Sequence, residues 1–295
     1  MKIIGASVSV ISISVDLLNI STYAGIFKCL RYVEIRHSRC YVVSMHILHT
    51  FFKKEIFSDF CLPRRGSRKA GDKVVIICSG APAVPSKKTL MEFLAKKGYW
   101  VFHIRYRGTW ESKGTFLRQS PHQDVLDVIG ELPNGFTELW TGERYTINPK
   151  KILITGSSFG GAAVIMAVQD PRVTAGIAFS PVVDWNATRP DEPHDKFVKF
   201  MQGVYGNVYR STPALWKKLL DEQFYTPRSD EDGSKLMIIH AKDDRIVRLK
   251  EVRDFAKKTK THFMLLNKGG HLSSSNIMKP TIWKKVDKFI RSVVL

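Results

Sequence analysis

Between a short apolar run and a stretch of small residues lies Gly156-Ser157-Ser158-Phe159-Gly160, and no other segment restricts the fold as tightly. Lys151-Ile152-Leu153-Ile154-Thr155 reads as a strand buried on both faces, because it is β-branched and lacks period-two alternation. Gly161 to Val168 consists of small and apolar residues and predicts a helix in close contact with its surroundings. Strand, G-x-S-x-G and helix in succession are what a nucleophile elbow requires. The central residue must hold a strained backbone, and residues without bulk beside it let strand and helix approach. Centring on Ser157 would put Thr155 and Phe159 where glycine is needed, so Ser158 is the candidate nucleophile.

An acid and a base follow at usable positions. Lys235-Leu236-Met237-Ile238-Ile239-His240-Ala241 is a second buried-strand pattern and runs into Lys242-Asp243-Asp244-Arg245-Ile246-Val247. A third, His262-Phe263-Met264-Leu265-Leu266, leads into Asn267-Lys268-Gly269-Gly270-His271. Parallel strands bring their C-terminal ends to one edge, so residues distant in sequence can converge there. Among nine histidines, His271 alone follows a late strand on a glycine turn, free to swing its ring toward a serine. His103 falls inside a strand pattern, His240 ends one and His262 begins one, while His122 and His194 fall in a helix start and a polar loop. His46 and His49 form an H-x-x-H pair with no further ligand cluster nearby, which reads as surface and not as a metal site.

GSSFGG, HAKDDRIV and GGH resemble the elbow, acid turn and histidine turn of α/β-hydrolase serine hydrolases. The likeness is greatest to the catalytic domain of the prolyl oligopeptidase-like group, and the chain order Ser, acid, His is that of the superfamily. In that group the acid turn commonly reads H-G-x-x-D-x-x-V. Mapped onto it, the acid is Asp244, with Ala241 in place of the usual glycine; Asp243 takes the role if the turn shifts by one residue. The resemblance covers residues 53 to 295 and implies an acyl-enzyme mechanism. In it His271 removes the Ser158 proton, and Asp244 fixes the imidazole tautomer. The tetrahedral oxyanion needs two N–H donors. One is expected from Phe159, at the positive end of the following helix. The other is expected from Ala81, in the loop Ser79-Gly80-Ala81-Pro82 after the strand Lys73 to Cys78. Relatives often carry His-Gly where this chain has Ser79-Gly80, and Pro82 has no N–H to offer.

The rest of the pattern predicts a mostly parallel, doubly wound sheet with a helical cap insertion, and the resemblance implies that this is an α/β-hydrolase fold. Ser86 is expected to cap a helix with Leu90, Phe93 and Leu94 on one face, ended by Gly98. Tyr99 to Ile104 and Ala175 to Ser180 read as further strands. Ser120-Pro121-His122-Gln123 reads as a capping box with proline at the first helical position, after which Val125, Val128, Ile129 and Leu132 recur at helical spacing. A last helix carries Ile282, Val286, Phe289 and Val293 on one side. Strands and helices alternating in this way predict parallel βαβ units.

Two stretches are candidates for shaping substrate choice. Tyr106 to Gly114 follows a strand and resembles the R-G-x-x-x-S-x-G loop of the superfamily, so Tyr106, Arg107 and Trp110 are candidate substrate contacts; a structural turn is the other reading. Residues 184 to 233 form a long connection rich in aromatics, among them Trp185, Phe197, Trp216 and Tyr225. They read either as a cap walling a pocket, with Trp185 in contact with substrate, or as a crossover whose aromatics pack down. Asp184 stands at a strand end where some hydrolases carry their acid, but Asp244 fits its motif better.

With 295 residues, 44% of them hydrophobic, the chain can bury a substantial core. Residues 1 to 52 are expected to be an N-terminal extension ahead of the catalytic domain. Ile3 to Phe27 is apolar but interrupted by serine and Asp16, which fits neither a signal peptide nor an unbroken membrane span. A strand, a membrane contact and a native start near Met45 all remain readings of it. Cys29, Cys40, Cys61 and Cys78 show no zinc or C-x-x-C spacing, which favours a reducing, cytoplasmic setting, with membrane association through the N-terminal segment as the alternative. No phosphate-cradling loop or metal cluster is seen, so no cofactor and no metal are implied. Net charge is +19, spread over most helices without a nucleic-acid motif, so a solvated basic surface is expected and no specific nucleic-acid partner.

The substrate expected is a small-molecule ester, thioester or peptide. Relatives that select small peptides usually place a β-propeller ahead of this domain, and about seventy residues cannot build several four-stranded blades. Esterase-like or small-peptidase chemistry is therefore expected, and a non-catalytic binding protein with a basic face is the reading from another class.

Overall fold

The computed structural model describes residues 46–64, 73–187 and 193–293. The readings made of residues 1–45 lie outside the described residues. Met45–Leu295 forms one compact unit.

Among the described residues ten strands run in chain order: β1 (Leu48–Phe52), β2 (Ile56–Cys61), β3 (Lys73–Cys78), β4 (Trp100–Ile104), β5 (Phe136–Thr137), β6 (Arg144–Tyr145), β7 (Lys151–Ser157), β8 (Ala175–Phe179), β9 (Leu236–Ala241) and β10 (His262–Leu266). Eight of them make one sheet in the order β1-β2-β4-β3-β7-β8-β9-β10, and β5 pairs separately with β6. From β4 to β10 every pairing is parallel, while β2 is antiparallel to both of its neighbours. Helices cover both faces, so β3, β7, β8 and β9 are buried almost throughout and read as unbroken apolar runs. The fold starts earlier than the boundary expected at residue 53. β1 is already part of the sheet, and its alternation of half-buried and buried residues marks it as an edge.

Among the described residues eight α-helices accompany the sheet: α1 (Lys88–Lys96), α2 (Pro121–Glu131), α3 (Phe159–Ala167), α4 (His194–Tyr205), α5 (Pro213–Lys217), α6 (Glu222–Tyr225), α7 (Leu249–Lys258) and α8 (Pro280–Ser292). Val125, Val128 and Ile129 of α2 pack in one apolar core together with α3 and with Val252 and Phe255 of α7. Leu90 and Leu94 of α1 pack in the other core with Ile282, Val286 and Phe289 of α8. Each such aliphatic side chain taken wholly out of water contributes about 1.5–3 kcal/mol. α3 is enclosed on nearly every side, which explains why it has no polar face. Among the described residues no helix is long and apolar enough to cross a membrane.

Two expected caps are replaced by other contacts. Lys87, not Ser86, is the N-cap of α1, and no side chain caps that helix. Pro121 does open α2, but the Ser120 hydroxyl bonds to His122 Nδ1 at 2.7 Å instead of closing a capping box.

Candidate active site

The tight turn from β7 into α3 comes from close packing around glycine. Ser158 has φ 55° and ψ −120°, an unfavourable backbone for a residue with a β-carbon. Its surroundings hold it there. The Ser158 N–H donates to the Phe179 carbonyl at 3.0 Å, and its own carbonyl accepts the Gly161 and Val182 N–H groups. A β-carbon at Gly160 would lie 2.4 Å from the Cys78 carbonyl oxygen, and one at Gly161 would lie 2.6 Å from Pro181 Cβ. A β-carbon at Gly156 would be 2.5 Å from the Gly160 carbonyl oxygen. The end of β3 thus crosses the first turn of α3 at a distance that only glycine permits.

That crossing sets the loop after β3 beside Ser158. Ala81 and Phe159 border the same cavity as the serine, and Gly80 has the Ser158 β-carbon as a neighbour. Below this loop lies a buried polar chain that the sequence did not reveal. Ser79 Oγ bonds to His103 Nε2 at 2.8 Å, His103 Nδ1 lies 3.2 Å from Arg105 Nη1, and Arg105 Nη2 reaches Asp59 Oδ2 at 2.7 Å. Burial lowers the His103 pKa to about 4, so the ring stays neutral at ordinary pH. Burial pushes the Asp59 carboxyl up, but His103 and Arg105 outweigh it and bring the group down to about 2. His49, one of the H-x-x-H pair, joins this chain through a bond from Nδ1 to Asp59 Oδ1 at 2.9 Å. Among the described residues no group of three or more His, Cys, Asp or Glu could hold a metal ion.

The acid and the histidine meet at the ends of β9 and β10. His271 Nδ1 lies 3.0 Å from Asp244 Oδ2 and 3.2 Å from Oδ1. The Asp244 carboxylate is shielded from solvent and accepts the Ile246 and Val247 N–H groups at 2.9 and 3.0 Å. Burial raises its pKa, but the bonds from His271, Ser180 and Val247 prevail and hold it below the ordinary carboxylate range. Asp243 does different work, accepting Gly269 N–H at 3.3 Å and Gly270 N–H at 2.8 Å and so holding the histidine turn. Ser180 is a further residue that sequence reasoning missed: its hydroxyl bonds to Asp244, and its oxygen accepts the Leu272 N–H at 3.1 Å. Its only sequence signal is its place at the end of β8. Asp184 accepts the Asn186 N–H instead of meeting the histidine.

Ser158, His271, Ala81, Phe159, Trp185 and Phe197 border one open cavity of about 610 Å³. The expected contacts at Tyr106, Arg107 and Trp110 are not met, since none of the three is on its described walls. Tyr106 is buried with its hydroxyl on the Ser79 carbonyl, Arg107 pairs with Glu55, Asp124 and Asp127, and Trp110 donates to the Ala83 carbonyl. They build the floor and the loop behind the site, the turn reading of that stretch. The aromatics of residues 184 to 233 divide between the two readings. Trp185 and Phe197 face the cavity, whereas Trp216 and Tyr225 are fully buried below it. The Tyr225 hydroxyl donates to the Phe159 carbonyl at 2.7 Å, and the Tyr225 carbonyl accepts the Trp185 indole N–H at 2.8 Å.

The sheet order, the elbow at the end of β7 and the turns after β9 and β10 define an α/β-hydrolase. The model of the prolyl oligopeptidase family matches residues 85–294, and the chain belongs to that family. Solved structures with the same fold include an esterase from Pyrococcus furiosus, 19% identical with TM-score 0.56, covering 85% of this chain and 91% of that one. An acylaminoacyl peptidase from Pyrococcus horikoshii is 19% identical with TM-score 0.55, covering 91% of this chain but 42% of that one. A thermophilic esterase from Thermogutta terrifontis with butyrate bound is 14% identical with TM-score 0.54, covering 85% of this chain and 95% of that one. None of the curated proteins matches in sequence.

Proposed function

We propose that this hydrolase cleaves a carboxylic ester, thioester or amide of a small molecule or short peptide through an acyl-enzyme on Ser158. In the first step the Ser158 oxygen bonds to the substrate carbonyl carbon while its proton passes to His271 Nε2. Asp244, on Nδ1, keeps that tautomer and stabilises the imidazolium without taking the proton. The carbonyl oxygen becomes an oxyanion facing the N–H groups of Phe159 and Ala81, each worth about 3–4 kcal/mol in such a site. The intermediate collapses as His271 returns the proton to the leaving oxygen, sulfur or nitrogen. Water, deprotonated by the same ring, then releases the acid and restores Ser158.

The observation that carries this reading is the Asp244–His271 pair opening onto the same cavity as a serine held at φ 55°. Within it we favour ester over peptide cleavage. Esterases are among the solved structures that share the fold, one of them with butyrate bound. A reducing, cytoplasmic setting fits the free, buried thiols of Cys61 and Cys78. The test is labelling by a fluorophosphonate together with turnover of matched esters and anilides. Wild type should label, and Ser158→Ala should neither label nor turn over, losing at least about 10⁴-fold in kcat while staying folded. Near-normal turnover by that variant would end the proposal, and faster anilide than ester cleavage would convert it to a peptidase.

A further inference from the structure

Among the described residues bordering the cavity beside Ser158, one is a lysine or arginine, Lys87, and none is aspartate or glutamate. Among the described residues its ammonium has no ion-pair partner, and burial lowers its pKa with no described acidic group acting against that. A partly desolvated cation without a counter-charge is unfavourable in the free protein.

Its position in α1 adds to this. Lys87 stands at the N-cap, where Ser, Thr, Asp or Asn is preferred, and Lys88 follows it. No acidic residue lies in the first turn and no side chain caps the helix, so two lysines oppose the positive end of the helix dipole. Lys87 and the preceding Ser86 both border the cavity, which brings that helix end to its wall. An anion arriving there would answer the ammonium and the dipole together. The chain's net charge of +19 would raise the local concentration of such substrates.

We infer that the substrate carries a carboxylate on the portion that lies against Lys87, and that Lys87 selects for it. This rests on the hydrolase reading above. It narrows the substrate class to esters, thioesters or amides with an anionic acyl or leaving group, such as a monoester of a dicarboxylic acid. A neutral substrate of the same shape would leave the ammonium desolvated and unanswered.

Two matched pairs of esters test it, each rate divided by that of hydroxide on the same ester. In the first pair, nitrophenyl glutarate is compared with nitrophenyl valerate, so the charge lies on the acyl group. In the second, butyrate esters of para-hydroxybenzoate and of its methyl ester are compared, so the charge lies on the leaving group. Wild type should favour the anionic member of one pair by roughly tenfold to a hundredfold in kcat/KM, mostly through KM. The pair that responds identifies which side of the scissile bond meets Lys87. Lys87→Met should collapse the ratio, Lys87→Arg should keep most of it, and Lys87→Glu should invert it. A purely structural role would lower both members of a pair alike and leave the ratio unchanged. Equal rates for both members of both pairs in wild type, or a preference that survives in Lys87→Met, would overturn the inference. Fluorophosphonate labelling of the same preparations separates the two failures. A labelled enzyme without anionic preference ends this inference alone, and an unlabelled protein ends the hydrolase reading with it.

Discussion

On the Ser158 side of the cavity a β-carbon added at Gly160 would lie 2.4 Å from the Cys78 carbonyl oxygen, whereas one added at Gly270, beside His271, would meet nothing within 4 Å. Both positions are glycine, for different reasons. Gly160 is needed because three chain segments cross there, and Gly270 because its φ is +59°. The serine is thus positioned by packing, and the histidine by polar bonds from Asp243, Asp244 and Ser180 to two turns. The comparison teaches that one site can be held by volume on one side and by charge on the other. Damage to each side should then look different.

The largest effect is expected from the polar side and from chemistry. Asp244→Asn keeps the shape of the carboxylate but removes its charge, so kcat should fall about 10³- to 10⁴-fold with secondary structure intact. A loss below tenfold would break the assignment of the acid. Next come the two glycines. Gly160→Ala should cost about 2–3 kcal/mol of stability, because the Cys78 and Ser79 carbonyls it would strike are backbone atoms. Gly270→Ala should cost only about 1 kcal/mol, the ordinary strain of a left-handed alanine. Urea unfolding of both variants measures the difference, and equal losses would erase the contrast. Smallest is Asp243→Ala, which frees the histidine turn without touching the imidazole. It should lower kcat/KM roughly threefold to tenfold, through loss of two charge-assisted bonds. A loss as large as that of Asp244→Asn would mean that the two carboxylates exchange roles.

What could be read from the sequence follows the same division. The elbow was legible because steric need leaves glycine at fixed offsets within one short segment, and the strands on either side are unbroken apolar runs. β3 and β10 have the same bounds as the patterns Lys73 to Cys78 and His262 to Leu266. The acid and histidine turns were legible through the resemblance of HAKDDRIV and GGH, which local pattern alone would not have supplied. The buried chain from Ser79 through His103 and Arg105 to Asp59 was not legible. It joins β2, β4 and the end of β3, and no spacing within one segment marks which polar side chains will face each other across a sheet. Tyr106, Arg107 and Trp110 misled for a related reason. A loop after a parallel strand lies near the catalytic edge, but its direction is set by partners such as Asp124 that are distant in sequence. β1 escaped the boundary because an edge strand of five residues has too little periodicity to stand out.

The Tyr225 side chain, wholly buried and bonded through its hydroxyl to the Phe159 carbonyl, ties the connection between β8 and β9 to the helix that begins at Phe159, the proposed oxyanion donor. Pulling it away would strand a buried acceptor, at about 1–3 kcal/mol, besides exposing a large ring. The indole of Trp185 is anchored to the same tyrosine, so this wall travels with the elbow and is no hinged flap. Reactants that pass Trp185 therefore meet a standing contour and not a door that swings.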